Sequence, residues 1–245
     1  MHRFFVDENS IGNETITIVG SDVNHIANVL RMRVGETILI SDGKDHEYIC
    51  EISSISPDEV VATIVDMNKE SRELPIKVTL FQGLPKGDKM DAIIEKNIEL
   101  GISSIVPVRM SRCVVKLDDA KATKKVAKWN AKAESAAKQS KRGIVPFVEN
   151  VVSYDEALKM ASSYDVILLP YELAENMTQT REVLDNIKPG MSVCMFIGPE
   201  GGFGEDEVKK AIDIGAKNIT LGRRILRTET AGMMLMSVLM YLNEE

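Results

Sequence analysis

The feature that most constrains the fold is a series of uninterrupted apolar runs that begins at residue 76 and continues to the end of the chain. Runs without alternation are typical of strands that are buried on both faces. Segments of helical periodicity separate them, and this alternation predicts an α/β domain with a largely parallel sheet. The runs are IKVTLF (76–81), SIVPV (104–108), DVILLP (165–170), SVCMFIG (192–198) and NITLG (218–222). The predicted helices cover residues 88–100, 119–141, 154–163, 176–187, 205–214 and 228–243.

The first 65 residues have a different pattern, in which short β-rich runs are separated by Asp-Gly, Ser-Pro and similar turn signals. One helical segment, residues 22–31, interrupts them, and the pattern predicts a small β-barrel or sandwich. The polar segment 67–75, which ends in Pro75, is predicted to be a linker. We therefore expect two domains, residues 1–70 and 75–245. The predicted strands are residues 15–20, 36–42, 47–53 and 59–66.

Composition excludes several classes of protein. No apolar stretch reaches the roughly 18 residues that a membrane helix needs, and acidic residues stand where a signal peptide would have its apolar core. We therefore expect a cytosolic protein. The three cysteines form no CxxC pair and the three histidines show no metal-ligand spacing, so we expect reduced thiols and no metal site. The cysteines are Cys50, Cys113 and Cys194.

The net charge of −7 hides a strongly basic segment. Residues 1–72 hold 6 Lys/Arg and 13 Asp/Glu, whereas residues 109–142 hold 11 Lys/Arg and 3 Asp/Glu, a local net charge of +8. At about 100° per residue, the apolar side of the helix in this segment includes Trp129, and a separate stripe of lysines runs along its flank. Such a stripe attracts the phosphates of a nucleic acid; the alternative is a merely solvated face. The stripe consists of Lys121, Lys125, Lys128 and Lys132.

Three strand ends carry unusual residues, and ligands of open α/β sheets bind beyond the carboxyl ends of strands. These are LLPYE (168–172), IGPEGGFGEDE (197–207) and LGRRILRTETA (221–231). The second is rich in glycine but has neither a dinucleotide nor a P-loop spacing. The acidic residues that follow would repel a phosphate. A ligand with an adenosine and no phosphate, such as S-adenosylmethionine, fits better; the alternative is a tight turn without a ligand.

The third strand end places three arginines beside Glu229. Guanidinium groups match phosphate oxygens, although a salt-bridged helix entry is an alternative. Thr228 or Thr230 is expected to cap the last helix. That helix is apolar on nearly all sides, so it is either a central core helix or one that packs against a second subunit. The arginines are Arg223, Arg224 and Arg227.

Four segments together resemble one family of SPOUT methyltransferases, the ribosomal RNA small subunit methyltransferase E family. They are LPKGDKMDAIIEKNIELGI (84–102), SAAKQSKRGIVP (135–146), FIGPEGGFGEDE (196–207) and LGRRILRTETA (221–231). HIANVLRMRVGE (25–36) is similar to the N-terminal segment of the family, so the resemblance covers nearly the whole chain. One departure is Lys141, where the family pattern leads us to expect glycine or another small residue.

The resemblance implies an α/β SPOUT domain with a C-terminal trefoil knot, preceded by a small PUA-like β-barrel that binds RNA. It also implies a homodimer, S-adenosylmethionine as cofactor, and N3 of a uridine in 16S rRNA as the methyl acceptor, free or in the small ribosomal subunit. The expected cofactor-binding residues are Leu169, Pro170, Tyr171, Glu172, Ile197, Gly198, Pro199, Glu200, Gly201, Gly202, Leu221, Gly222, Ile225 and Leu226.

The uracil N3 proton must be removed for methyl transfer, so a carboxylate base and a cation that stabilises the uracil anion are expected. Glu229 is the candidate base and Arg227 the candidate cation, with Lys86 as a weaker candidate. The residues expected to contact RNA are Arg31, Arg112, Lys121, Lys125, Lys128, Lys132, Arg142 and Arg224. Two alternatives stay open: a SPOUT methyltransferase that acts on another RNA such as tRNA, and a non-catalytic RNA-binding module.

Overall fold

The structure, a computed structural model, describes residues 1–43, 46–68, 72–171 and 177–244. The contacts divide the chain into two compact units. The N-terminal unit comprises Met1–Glu73 together with Ala137–Val145, and the C-terminal unit comprises Leu74–Ala136 together with Pro146–Glu245. The prediction of a domain at residues 1–70 did not foresee that residues 137–145 pack with it.

The N-terminal unit is built on one five-stranded sheet in the order β1-β3-β4-β5-β2. The short strand β1, which the sequence did not indicate, pairs with β3 in parallel, and the other pairings are antiparallel. Alternate side chains of these strands, such as Ile16 and Ile18, form the core of the unit. The strands are β1 (Arg3–Phe5), β2 (Thr15–Val19), β3 (Thr37–Ser41), β4 (Glu47–Ile55) and β5 (Glu59–Asn68).

The helical segment between β2 and β3 has two parts. Helix α1 (Ser21–Asn24) continues into a π-helical turn, His25–Val29. Val23 and Ile26 are buried in the core of the unit. This segment matches the predicted helix at residues 22–31, apart from the π-helical geometry, which a sequence pattern does not indicate.

The C-terminal unit contains a seven-stranded sheet in the order β12-β10-β11-β6-β7-β8, with β9 also paired to β7. Every pairing is parallel. Four of the five continuous apolar runs form the adjacent inner strands β10, β11, β6 and β7, as expected for strands that are covered on both faces, and the fifth forms the edge strand β12. The α/β prediction is therefore confirmed. The strands are β6 (Lys77–Gly83), β7 (Ser104–Arg109), β8 (Phe147–Val148), β9 (Val152–Ser153), β10 (Val166–Pro170), β11 (Ser192–Ile197) and β12 (Lys217–Ile219).

In the part of the chain that the structure describes, six helices connect or follow the strands of this sheet. All six had been predicted, and the ends agree within about two residues. Gly101 and Gly215, each in the left-handed region, follow the ends of α2 and α6, as expected for helix C-termini. No helix in the described parts of the chain is long and apolar enough to span a membrane. The helices are α2 (Lys89–Glu99), α3 (Asp119–Gln139), α4 (Tyr154–Ala161), α5 (Met177–Asp185), α6 (Glu205–Asp213) and α7 (Thr228–Asn243).

Candidate functional site

A cavity of about 520 Å³ lies at one edge of the C-terminal sheet. Its walls come from residues that follow β10, β11 and β12, together with Lys89 and the first turn of α7. The three strands are adjacent in the order β12-β10-β11 and parallel. Their carboxyl ends therefore meet at the same edge, and the three unusual strand ends of the sequence enclose one cavity.

The glycine-rich segment after β11 is tied to the start of α7. The Thr228 hydroxyl donates to the Gly198 carbonyl oxygen at 2.7 Å and accepts from the buried amide Nε2 of Gln82 at 2.9 Å. The helix N-cap is Arg227, which makes no capping bond through its side chain. The expectation that Thr228 or Thr230 is the capping residue is thus wrong: Thr228 uses its hydroxyl to hold the glycine segment.

A second set of contacts holds the glycine segment from the side of β7. Glu207, 8% exposed, accepts from the backbone N–H of Ser111 at 2.7 Å and from that of Gly204 at 2.8 Å. The Arg112 guanidinium donates to the Gly201 carbonyl oxygen at 3.1 Å. Glu207, one of the acidic residues in the first turn of α6, therefore connects the segment after β7 to the glycine segment through hydrogen bonds.

An ionic cluster lies beside the cavity. The Lys89 ammonium is 2.9 Å from Glu200 Oε1 and 3.4 Å from Glu229 Oε2, and the Lys86 backbone N–H donates to Glu200 Oε1 at 3.1 Å. The hydrogen bond to Glu200 raises the pKa of Lys89, so this side chain is cationic at neutral pH. Burial alone would raise the pKa of Glu200, but hydrogen bonds from Lys89 and the backbone outweigh it, and that pKa is lowered.

Most of the predicted cofactor-binding residues line this one cavity. Leu169 does not: it is fully buried in the hydrophobic core beneath the sheet edge. Glu172 lies outside the described residues. The predicted residues that line the cavity are Pro170, Tyr171, Ile197, Gly198, Pro199, Glu200, Gly201, Gly202, Leu221, Gly222, Ile225 and Leu226.

The predicted catalytic residues separate into two groups. Arg227 lines the cavity and Glu229 lies beside it, paired with Lys89. The Lys86 side chain is exposed and is not part of the wall, so its position does not match the role expected of it. Lys89 was not predicted, although it lies in the same LPKGDK segment as Lys86. Helix α2 begins at Lys89, and the position of this helix start, which the sequence pattern does not give, brings Lys89 instead of Lys86 to the cavity.

The predicted RNA contacts are also divided. Arg31 is exposed in the N-terminal unit, Arg112 is exposed beside the glycine segment, and Arg224 lines the cavity. The prediction that Arg142 contacts RNA is wrong. Arg142 is 4% exposed and pairs with Glu73 inside the N-terminal unit, so its side chain is not presented to a partner.

The four lysines of the predicted stripe all lie on α3, but three of them form ion pairs with acidic side chains. Lys121 pairs with Asp118 at 2.9 Å, Lys128 with Asp91 at 2.8 Å and Lys132 with Glu95 at 2.7 Å. The Lys125 ammonium lies 5.8 Å from the centroid of the Trp129 ring. Exposed pairs of this kind exchange readily with other ions, so the contacts leave both interpretations of the stripe open.

Two family models match the chain. That of the RNA methyltransferase domain matches residues 72–240, and that of the RNA methyltransferase PUA domain matches residues 18–65. The expected PUA-like domain is thereby confirmed.

Individual relatives match over nearly their whole length. The chain is 38% identical to the ribosomal RNA small subunit methyltransferase E of Bacillus subtilis, over 100% of this chain and 98% of that protein. It is 30% identical to the protein of that name from Mesomycoplasma hyopneumoniae, with 97% and 98% covered.

A solved structure agrees with these matches. The crystal structure of a ribosomal RNA small subunit methyltransferase E from Neisseria gonorrhoeae, bound to S-adenosyl methionine, superposes with a TM-score of 0.84 at 34% identity. The superposition covers 97% of this chain and 95% of that chain. The chain belongs to the ribosomal RNA small subunit methyltransferase E family.

Proposed function

We propose that this protein transfers a methyl group from S-adenosylmethionine to N3 of a uridine in the 16S rRNA of the small ribosomal subunit. The observation that carries the proposal is a glycine-lined cavity formed by three adjacent strand ends. Family membership supports it, as does the cofactor bound by the relative from Neisseria gonorrhoeae.

The residues of the cavity fit this cofactor. Its volume lies within the range of about 300–1,000 Å³ that small-molecule sites occupy. Gly202 and Gly222 have positive φ, and a Cβ at either would meet no atom within 4 Å, so both leave backbone exposed to the cavity. The Glu200 carboxylate offers negative charge to a cationic ligand.

The proposed chemistry uses few groups of the protein. S-adenosylmethionine, when bound, supplies a methyl group made electrophilic by a sulfonium. Glu229 accepts the N3 proton of the uracil, and Arg227 stabilises the negative charge that develops on the carbonyl oxygens. Lys89 holds Glu229 and Glu200 at the cavity through its ammonium group. Positioning of the uracil for in-line attack on the methyl group contributes much of the remaining rate acceleration.

The RNA partner and the assembly are part of the proposal. The PUA-like unit, Arg112 and Arg224 are proposed to contact RNA, and α7 to pack against a second subunit. The trefoil knot is retained as an expectation from the family resemblance. The proposal includes no metal ion.

The decisive experiment is mass mapping of modified nucleosides in 16S rRNA from a strain that lacks this protein. Loss of one N3-methyluridine, restored by the wild-type gene, is the expected result. A modification lost from tRNA instead would favour the alternative substrate. Intact modification of all RNAs, with no binding of S-adenosylmethionine by the purified protein, would favour a non-catalytic RNA-binding module.

A further inference from the structure

The N-terminal unit has a cavity of its own, of about 240 Å³. Three of its lining residues are cationic and three are apolar, and no acidic side chain lines it among the residues that the structure describes. The lining residues are Met1, Arg3, Leu39, Ile49, Arg72 and Lys141.

Arg3 is the buried cation of this cavity, with 8% of its surface exposed. Its Nη1 donates to the Arg142 carbonyl oxygen, and its Nη2 forms an ion pair with Glu47. Its Nε is buried and has no hydrogen-bond acceptor within the described parts of the chain. A buried donor without an acceptor is costly and rare, and an ion or a water often accounts for it.

Arg72 and Lys141 add exposed positive charge at the same cavity. The Arg72 guanidinium donates to the Lys141 carbonyl oxygen at 3.1 Å. Lys141 has a φ of 59°, a left-handed conformation that costs a non-glycine residue free energy. Neither cation forms an ion pair with any residue described by the structure.

Within the residues that the structure describes, the charge of the site is only partly balanced. Two described carboxylates lie near it: Glu47, which pairs with Arg3, and Glu73, which pairs with Arg142. Burial and the adjacent Arg72 both lower the pKa of Arg3, as expected where like charges converge. The geometry thus brings a second guanidinium near the buried guanidinium donor, and Lys141 lines the same cavity.

We infer that this cavity binds a phosphate group, and that in the substrate complex the group is a backbone phosphodiester of the RNA. Guanidinium groups match phosphate oxygens in charge and geometry. Contacts of this kind orient a nucleic acid without reading its sequence. The assignment to RNA rests on the proposed function, whereas the phosphate site rests only on the residues named above.

The first test uses inorganic phosphate and needs neither RNA nor cofactor. Addition of phosphate should shift the Nε–Hε resonance of Arg3 in a saturable manner, and chloride at the same ionic strength should not. The shift should be weakened in a variant with Arg72→Gln and Lys141→Gly. Absence of a saturable shift in the wild type overturns the site.

The second test measures affinity for a 16S rRNA fragment as a function of salt. Lys141→Gly removes the ammonium and relieves the left-handed strain, so the melting temperature should not fall. The slope of log K against log salt should decrease in magnitude by about 0.7, the contribution of one phosphate of a single strand. Lys159→Ala, an exposed lysine in the last turn of α4, is the matched control and should leave the slope unchanged.

The two arms separate the sources of the phosphate. A phosphate shift together with a reduced slope supports the proposal. A phosphate shift with an unchanged slope overturns the assignment to RNA and leaves a site for free phosphate. Failure of the proposed function would be observed separately, as a wild-type protein that neither binds S-adenosylmethionine nor methylates rRNA.

Discussion

At the scale of single residues, Glu229 and Arg227 make separable contributions. Glu229→Gln keeps the shape of the side chain but removes the proton acceptor, so single-turnover methyl transfer should slow by about 10²–10⁴-fold with cofactor affinity preserved. Alkaline pH should partly restore this variant, because solvent then removes the N3 proton. Arg227→Ala should also be slow but should not recover with pH. A wild-type rate in Glu229→Gln would assign Glu229 a structural role.

Lys89 can be tested against its neighbour Lys86 at the same scale. Lys89→Met removes the hydrogen bond and the charge that lower the pKa of Glu200, so that pKa should rise. A carboxyl group with a higher pKa becomes neutral at a higher pH as the solution is acidified. Calorimetry should therefore show that affinity for S-adenosylmethionine declines at a higher pH in Lys89→Met than in the wild type. Lys86→Met should follow the wild-type profile; identical profiles for all three proteins would remove Glu200 and Lys89 from the binding equilibrium.

At the scale of elements, Arg112 leaves no room for a side chain at Gly201 in the glycine segment. A Cβ at Gly201 would lie 2.9 Å from Arg112 Cβ and 3.3 Å from the Arg112 carbonyl oxygen. Gly201→Ala should therefore shift the segment, with a cost of about 1–3 kcal/mol in stability and weaker cofactor binding. The double variant Gly201→Ala with Arg112→Gly should recover part of the lost stability and part of the lost cofactor affinity. Thermal melting and calorimetry measure these two quantities, and Arg112→Gly alone is the control. Equal losses with and without Arg112 would place the obstruction elsewhere.

The lysine stripe on α3 can also be tested at the scale of elements, through its contribution to RNA binding. Lys125→Ala with Lys128→Ala should lower the salt slope of RNA binding by about 0.7 for each phosphate contact removed. Cofactor binding should not change, because neither side chain lines the cavity. The ion pair of Lys128 with Asp91 must be exchanged for a phosphate, so an unchanged slope would mean that the stripe is a solvated, internally paired face.

At the scale of the whole molecule, the last helix and the loop before it leave apolar surface exposed. Ile225, Tyr241 and Leu242 are 88%, 81% and 45% exposed. The family resemblance implies a homodimer, and these side chains leave apolar surface uncovered at both ends of α7, so we expect light scattering to give the mass of a dimer at micromolar concentration. Tyr241→Lys together with Leu242→Lys should yield monomers with an unchanged fold. A wild-type monomer with full activity would contradict the homodimer.

The sequence by itself determined the elements and the chemical character of the site. Apolar periodicity and turn residues act over a few neighbouring positions, so the helices and the longer strands were predictable from residue 15 onward. The two-residue strands β8 and β9 were not predicted, because so short a segment has no periodicity. The convergence of three strand ends followed because the carboxyl ends of parallel strands meet at one edge. The glycine segment and the absence of a phosphate fingerprint were likewise local properties, and they indicated the type of ligand before any contact was known.

Only the tertiary structure decided which distant side chains meet. Lys89 instead of Lys86 reaches Glu229, the Thr228 hydroxyl holds Gly198 instead of capping its helix, and Arg142 is buried against Glu73. These outcomes depend on the register of strands and on helix starts that differ by one or two residues, which no local pattern specifies. The same reason applies to residues 137–145, which join the N-terminal unit and place Lys141 beside Arg3 and Arg72.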